Sequence, residues 1–293
     1  MKLSVDHLNK SYKNCRAISD LSFCIESGEI VGLLGHNGAG KSTLIKCMMN
    51  AIKSYTGSIS IDGRDLRQNQ KLLSDECSFL LEPSFCEYMT ARQNLRLLSG
   101  IISRRSRYSI DDVLALVSLK NAADRKVGEF SFGMRQRLGL AQVFLSTPHF
   151  VILDEPTVGL DPLGIEIIKN RILELSRNGV SVLFSSHQIN DVFDICTRVI
   201  VLNSGSLVFD GGIDRLLEKT YVIVVDRPVE HMDELSSLSD RIAVSENTIR
   251  IRDSGLLSKV LDALIGHGFV IKDITTENSF ENLRTYLNRQ EFQ

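Results

Sequence analysis

Four short runs of apolar residues stand out along the chain, and each has the length of a buried strand. They lie at residues 29–34, 150–153, 180–184 and 199–202. Strands covered on both faces in a parallel sheet carry such runs, whereas strands with one face in water alternate apolar and polar positions. Helix-like segments separate the four runs, so we predict an α/β domain with a parallel core sheet.

Two other regions have different patterns. Residues 1–28 alternate polar and apolar positions, and residues 58–63 resemble part of a hairpin, which predicts an additional antiparallel β layer. Between about 84 and 147 we find no apolar strand-like run; amphipathic stretches such as 91–99 and 110–119 dominate instead. This region is predicted to be a helical subdomain inserted into the α/β domain.

The pattern changes again after residues 210–212, Asp-Gly-Gly. We predict strands at 221–226, 242–244, 248–252 and 269–274, with helices at 230–238, 256–265 and 279–287. The order β-α-β-β-α-β is typical of a ferredoxin-like module, followed here by one more helix. The predicted organisation is therefore a domain of residues 1–215 and a C-terminal α+β module of residues 216–293.

Composition and charge exclude some functional classes. Apolar residues make up 43% of the chain, which is typical of a folded globular protein, and a net charge of −2 provides no basic field to attract nucleic acid. No window approaches the about 18 uninterrupted apolar residues of a membrane helix. We therefore expect that the chain does not cross a bilayer by itself.

A glycine-rich segment follows the first buried strand and precedes a predicted helix. Residues 35–42 fit the pattern G-x-x-x-x-G-K-[ST], in which backbone N–H groups surround phosphates. Lys41 is predicted to reach the β- and γ-phosphates, and the Ser42 hydroxyl to bind Mg²⁺. The predicted ATP-binding residues of this loop are Gly35, Asn37, Gly38, Ala39, Gly40, Lys41, Ser42 and Thr43.

Two carboxylates end the buried strand at 150–153. The C-terminal ends of parallel strands are where an α/β sheet presents ligand-binding groups. Asp154 is predicted to support Mg²⁺, and Glu155 to polarise the water that attacks the γ-phosphate. These features alone predict a P-loop nucleoside triphosphatase with ATP and Mg²⁺ as its ligands.

The segment before the strand at 150–153 indicates which type of P-loop protein this is. Residues 129–138, Glu-Phe-Ser-Phe-Gly-Met-Arg-Gln-Arg-Leu, resemble the signature motif of ABC ATPases, commonly Leu-Ser-Gly-Gly-Gln followed by Arg/Lys-Gln-Arg. Ser131 is suited to cap the helix that follows. The resemblance implies that Ser131, Phe132, Gly133 and Met134 face the γ-phosphate of ATP held by a second subunit, so that two ATP molecules are sandwiched between two chains.

Further residues match landmarks of the same family. Tyr12 is similar to the aromatic residue that stacks on adenine, and Asp161 to the D-loop aspartate at the dimer interface. His187 resembles the switch histidine that contacts the γ-phosphate, which adds it to Lys41 and Glu155 as a catalytic residue. The resemblance covers residues 1 to about 215 and implies the ABC type of P-loop fold.

Two parts of the chain depart from the common family pattern. Phe130, Phe132 and Met134 stand in the signature where Leu, Gly and Gln are most common, and Glu82 stands where most members carry the Q-loop glutamine. A carboxylate at that position can bind Mg²⁺ but cannot donate as an amide does. Glu82, residues 87–95 and the C-terminal tail resemble the bacitracin and lantibiotic-immunity group of ATPases.

The implied function is an ATP-binding and ATP-hydrolysing subunit of an ABC transporter that powers a separate membrane permease. The group resemblance implies export of, or resistance to, an antimicrobial peptide or drug, by a homodimer bound peripherally at the cytoplasmic face of the membrane. The main alternative is an ABC-type ATPase acting on the ribosome or DNA. The single set of motifs and the near-neutral charge disfavour it. A subunit that binds ATP without hydrolysing it is disfavoured by Asp154, Glu155 and His187.

Overall fold

The computed structural model describes residues 1–13, 15–102, 108–216, 218–229, 239, 242–252 and 254–279. The chain divides into two compact units, Met1–Ile213 and Asp214–Gln293, which are described separately. The predicted domain boundary after residue 215 lies close to this division. Within the described segments, none of the helices has the length and apolar character that a bilayer crossing requires.

The first unit contains two sheets and seven α-helices among its described residues. The strands are β1 Leu3–Tyr12, β2 Cys15–Ile25, β3 Ile30–Leu34, β4 Thr56–Ile61, β5 Arg64–Asp65, β6 Cys77–Leu80, β7 Phe150–Asp154, β8 Ser181–Ser186, β9 Arg198–Asn203 and β10 Ser206–Gly212. The helices are α1 Lys41–Met48, α2 Gln70–Glu76, α3 Ala91–Ser99, α4 Ile110–Leu116, α5 Phe132–Val143, α6 Pro162–Arg177 and α7 Ile189–Phe193.

The core sheet has the strand order β10-β9-β3-β8-β7-β6. The four strands predicted from apolar runs (β3, β7, β8 and β9) are confirmed, and they pair in parallel. β6 adds a further parallel strand, whereas β10 is antiparallel to β9 at the other edge. This order places the C-terminal ends of β3, β8 and β7 side by side, where the predicted phosphate and carboxylate residues follow.

The predicted antiparallel layer is also confirmed. Its strand order is β2-β1-β4-β5, with Leu3 opposite both Ile25 and Ile61. Helix α1 contributes Leu44 and Met48 to the apolar cluster that contains these strand residues. The main core of this unit therefore joins the antiparallel layer, α1 and the parallel sheet, and it supports the loop that precedes α1.

Between residues 84 and 147 the described residues form α3, α4 and α5 and no strand, as predicted for the helical subdomain. Thr90 begins α3 and Ser109 begins α4 with a capping box, in which the side chain at the cap and the side chain three positions later each bind a backbone N–H. Arg92 on α3 donates to Asp111 Oδ1 (2.6 Å) and to Asp124 Oδ1 (2.8 Å). One guanidinium thus connects three parts of the subdomain.

Removing this guanidinium is expected to lower stability in a pH-dependent way. The hydrogen bond from Arg92 holds the pKa of Asp124 below its ordinary value. A lowered folded-state pKa gives stability that is present above the unfolded pKa and lost as pH falls through the folded pKa. Arg92→Ala should therefore lower the thermal midpoint by only roughly 2 °C at pH 7, because both carboxylates are exposed. The loss should be smaller at pH 3, where protonation of the carboxylates begins to remove the attraction.

Thermal unfolding followed by circular dichroism measures this difference. Arg96→Ala, at an exposed position on the same helix, serves as the control and should leave the midpoint unchanged at both pH values. A difference between wild type and Arg92→Ala that stays the same from pH 7 to pH 3 would show that the carboxylates play no part in the effect.

The second unit contains β11 Glu218–Val225, β12 Ile242–Ser245, β13 Thr248–Ile251, α8 Leu257–Gly266 and β14 Ile271–Ser279. Its antiparallel sheet has the order β12-β13-β11-β14. β11 and β12 both run opposite to β13, so they run in the same direction and require a crossover between them, as in a ferredoxin-like fold. The core contains the apolar residues Ile223, Val225, Ile242, Ile249, Ile251, Val260 and Leu264.

Two details of this unit correct the sequence predictions, and two predicted segments cannot be compared. The last strand begins at Ile271 rather than at residue 269, and it continues to Ser279, so no helix begins at residue 279. The rest of the predicted closing helix and the predicted helix at 230–238 lie outside the described residues. The polar run in residues 275–279 contains no apolar periodicity, which is why its strand was missed.

Candidate nucleotide-binding site

The glycine-rich loop connects β3 to α1, as predicted. Gly40 precedes α1 with φ +103°, and a Cβ atom there would lie 2.6 Å from the carbonyl oxygen of Ala17. A residue with a side chain would be strained in this conformation and would also collide with β2. Gly38 has φ +86° and faces open space. Glycine at these two positions lets the backbone turn tightly around the space in front of α1.

Lys41 lies inside this loop. Its side chain is buried, and Nζ donates to the carbonyl oxygens of Gly35 (2.5 Å) and His36 (3.4 Å). Burial lowers the pKa of Lys41, while the negative charges of Glu155 and Asp154 oppose that shift. Loop amides, the start of a helix and a buried ammonium together form an anion site. Ser42 is exposed in the first turn of α1, and Thr43 is half-buried beside it.

The turn between β9 and β10 supports the loop from one side, which the sequence analysis did not predict. Asn203 Oδ1 lies 3.0 Å from Nε2 of His36, and the N–H of Gly205 donates to the carbonyl oxygen of Ala39 (3.0 Å). The exposed residues Asn37 and Gly38 lie between these two attachments. His36 therefore has a structural partner, and Ala39 is fixed by a backbone hydrogen bond. The only sequence signal was a polar turn after an apolar strand.

The two acidic residues at the end of β7 share a hydrogen-bond partner on the neighbouring strand. Ser185 on β8 donates its hydroxyl to Asp154 Oδ1 (2.6 Å) and accepts from the backbone N–H of Glu155 (2.9 Å). Glu155 has φ +50°, a left-handed backbone conformation that is uncommon for residues other than glycine. Ser185 was not predicted, because a serine within an apolar strand carries no distinctive sequence signal.

Glu155 and His187 meet directly. Oε2 of Glu155 lies 2.6 Å from Nδ1 of His187, which follows β8. Both side chains are partly exposed, so the pair faces solvent at the C-terminal edge of the sheet. From α5, the buried side chain of Gln136 donates to the carbonyl oxygen of Glu155 (3.4 Å). The structure thus brings together two predicted catalytic residues and links them to the helix that begins at the signature motif.

Tyr12 lies at the end of β1, opposite Cys15 at the start of β2. Tyr12 is 45% exposed, and Nζ of the buried Lys10 lies 4.6 Å from the centroid of its ring. β2 also contributes Ala17, whose carbonyl oxygen lies close to Gly40 of the loop. The hairpin formed by β1 and β2 therefore carries the aromatic ring and also lies against the phosphate loop.

Glu82 lies just beyond β6, whose Leu80 pairs with Leu153 of β7. It is exposed, and it emerges at the same sheet edge as Asp154. A carboxylate at this edge adds negative charge on the side of the sheet where Asp154 lies, whereas an amide would not.

The predicted cap of the signature helix is confirmed. Ser131 is the N-cap of α5, and its hydroxyl accepts from the N–H of Met134 (3.3 Å). Phe132 is exposed, while Gly133 and Met134 are half-buried. Asp161 is the N-cap of α6, and Oδ1 accepts from the N–H of Gly164 (3.0 Å). The signature motif and the segment that resembles the D-loop therefore each lie at the start of a helix.

Comparisons with known proteins agree with this geometry. A family model described as ABC transporter matches residues 18–158. The chain is 35% identical to an uncharacterized ABC transporter ATP-binding protein, YdbJ, of Bacillus subtilis (strain 168), over 76% of this chain and 74% of that protein. It is 31% identical to the bacitracin transport ATP-binding protein BcrA of Bacillus licheniformis, over 94% of this chain and 93% of BcrA.

Solved structures give the same result. The structure of an ATP-binding subunit of an ABC transporter superimposes with a TM-score of 0.67 at 29% identity, covering 74% of this chain and 92% of that one. The nucleotide motifs, the fold and the relatives are thus consistent. The chain belongs to the ATP-binding subunits of ABC transporters, which are ATPases that work as dimers together with membrane permeases.

Proposed function

We propose that this chain binds ATP with Mg²⁺ at residues 35–43, hydrolyses it at an interface with a second copy, and powers a permease that exports an antimicrobial peptide or drug. The proposed ATP hydrolysis is supported by the contact between Glu155 and His187 beside the buried Lys41. The proposed type of transported compound is supported by the similarity to BcrA along nearly the whole of both chains.

Nucleotide binding would use charge and backbone dipoles together. The Lys41 ammonium would exchange its contacts with loop carbonyls for the β- and γ-phosphates, and the first N–H groups of α1 would point at the same oxygens. Tyr12 would stack on the adenine with the ring face that Lys10 does not cover.

The residues present fit a magnesium ion. Mg²⁺ prefers oxygen ligands and keeps most of its coordination for phosphate and water, so it needs only one or two protein groups. The Ser42 hydroxyl and the Asp154 carboxylate, which Ser185 orients, offer that number, and Glu82 emerges at the same edge. The bound ion would neutralise charge on the β- and γ-phosphates.

Hydrolysis would depend on the pair formed by Glu155 and His187. The Glu155 carboxylate would accept a hydrogen bond from the attacking water, and the imidazole at 2.6 Å would fix the carboxylate and reach the γ-phosphate. The hydrogen bond that the backbone N–H of Glu155 donates to the Ser185 hydroxyl helps to hold this residue in its left-handed conformation. The reaction therefore needs positioned groups and no covalent intermediate.

The second copy would complete each site. Ser131, Phe132, Gly133 and Met134 surround the start of α5, where backbone N–H groups and the helix dipole attract a phosphate. In a sandwich dimer this helix end would face the ATP held by the other chain, with Asp161 close to the interface. ATP would then hold the dimer together until hydrolysis releases it.

The permease would bind on the helical subdomain. An open groove there is lined by Tyr88, Met89, Gln93, Arg96 and Leu97, and the side chain of Tyr88 is 74% exposed. The loop before the groove is firmly held, because Asn94 is buried and bonds both the N–H and the carbonyl oxygen of Cys86. A helix from the permease would fit this rigid apolar surface and place the chain at the cytoplasmic face of the membrane.

Drug susceptibility tests the cargo class. We expect a sensitive host that expresses this chain with its permease to tolerate a several-fold higher bacitracin concentration than the host alone. The control is the same complex carrying Glu155→Gln, which should not protect. An assembled complex that hydrolyses ATP but leaves susceptibility to bacitracin and to lantibiotics unchanged would refute the proposed cargo and leave the ATPase assignment intact.

A further inference from the structure

The start of α5 packs against the turn between β7 and α6. The ring of Phe132 lies on Gly159: a Cβ atom built on Gly159 would be 2.5 Å from Cδ1 and 2.6 Å from Cε1 of the ring. Such distances are far below van der Waals contact, so only glycine at position 159 allows the ring to stay where it is. Gly159 also has φ +71°.

A second contact mirrors the first. A Cβ atom on Gly133 would be 3.2 Å from Cδ2 of Leu160. Each segment therefore contributes one large apolar side chain and one glycine, and the two pairs, Phe132 with Gly159 and Leu160 with Gly133, interlock. Reciprocal packing of this kind fixes the relative position of two segments more tightly than either contact does alone.

A third contact extends this packing to the catalytic residue. Gln136, one turn further along α5, donates to the carbonyl oxygen of Glu155 (3.4 Å). Helix α5 thus holds the segment 155–160 at both ends: at Glu155 through a hydrogen bond and at Gly159 through the aromatic ring. A shift of the turn at Gly159 would therefore alter the backbone that carries Glu155.

The exposure of Phe132 indicates what this contact does. The residue is 55% exposed, so its burial contributes little to folding compared with a core phenylalanine. It also stands where the family most often has glycine, which could not make the contact. A large apolar residue that is half in solvent and seated on one glycine points to local positioning rather than to core packing.

We propose that Phe132 is a positioning residue for ATP hydrolysis: its ring on Gly159 fixes the turn before α6 and, with Gln136, the backbone of Glu155. This inference rests on the proposed role of Glu155. Misplacing a catalytic group by about 1 Å can lower a rate by about a hundredfold, so a contact of this kind can control kcat without affecting nucleotide binding.

A double-mutant cycle on the purified full-length chain tests the proposal. Gly159→Ala should lower kcat by about tenfold or more, because the new methyl group displaces the ring. In the Phe132→Ala background the same change should lower kcat by only about twofold, the effect of backbone strain alone.

Two controls separate positioning from folding and from strain. Gly179→Ala places a methyl group at a similar φ of +81° in open space, and it should leave kcat within about a factor of two. Gly159→Ala and Gly179→Ala should lower the thermal midpoint by a similar amount, about a few degrees, because both place alanine at a positive φ, and both should bind a fluorescent ATP analogue with wild-type affinity. If the contact were merely structural, Gly159→Ala would lower the midpoint well beyond Gly179→Ala, together with kcat.

Equal effects of Gly159→Ala in the two backgrounds would overturn the proposal, as would a fall in kcat that follows the thermal midpoint. Failure of the proposed role of Phe132 can be distinguished from failure of the proposed function by testing Glu155→Gln. If Glu155→Gln hydrolyses ATP like the wild type, the catalytic assignment fails. If Glu155→Gln is inactive but the cycle is additive, only the role of Phe132 is wrong.

Discussion

Glu155→Gln is expected to lower the kcat of ATP hydrolysis by about a hundredfold to a thousandfold, within the range that a positioned general base contributes. The substitution keeps the size of the side chain and removes the carboxylate that lies 2.6 Å from Nδ1 of His187. The backbone contacts of Glu155 with Ser185 and Gln136 do not involve the carboxylate and should persist. The fold and the phosphate loop should therefore be unchanged, and ATP should still bind.

Phosphate release and equilibrium binding of a fluorescent ATP analogue measure the two effects separately. Glu166→Gln, at an exposed position on α6, is the matched control and should behave like the wild type in both assays. Retained hydrolysis in Glu155→Gln would contradict the proposed chemistry. Equal losses of hydrolysis and binding would instead assign Glu155 to nucleotide binding.

Lys41→Ala is expected to weaken ATP binding by about a hundredfold or more, because it removes the buried positive charge that would pair with the phosphates. Hydrolysis should fall with binding. The expected effect on folding is opposite: burial lowers the pKa of Lys41, so the folded protein keeps this charge at an energetic cost. The thermal midpoint of the nucleotide-free variant should thus equal or exceed that of the wild type.

Lys46→Ala on the exposed side of α1 is the control for a lost lysine on the same helix, and it should bind ATP normally. Binding and unfolding measured on the same preparations separate the two expectations. Wild-type affinity in Lys41→Ala would show that the loop amides are sufficient to hold the phosphates. Loss of folding together with binding would show that Lys41 is a structural residue.

The phosphate loop and the buried strands could be predicted because their signals are local. A glycine-rich loop needs glycine at fixed positions such as Gly38 and Gly40, and a strand buried on both faces needs a continuous apolar run. β6 and β10 were not predicted because they lack a local signal of this kind: β6 is a short strand, and β10 is an antiparallel edge strand. Both strands form because they hydrogen-bond to a neighbouring strand, and the sequence of a single segment does not reveal that neighbour.

The residues that position the site were harder to predict. Ser185 reaches both Asp154 and the backbone of Glu155 from the neighbouring strand, and Gln136 reaches Glu155 from α5. Their roles depend on which strands and helices lie side by side, and a serine in an apolar strand or a glutamine in a helix looks ordinary in the sequence. The contact of Phe132 with Gly159 likewise joins two motifs that the sequence analysis treated separately.

The most direct test of the two-chain site is the molar mass of purified Glu155→Gln, measured by light scattering with and without ATP and Mg²⁺. We expect a monomer without nucleotide and a dimer with it, because ATP would be held between residues 35–43 of one copy and the helix end at Ser131 of the other. A protein that binds ATP to saturation and remains a monomer would contradict the proposal that a second copy of this chain completes the site.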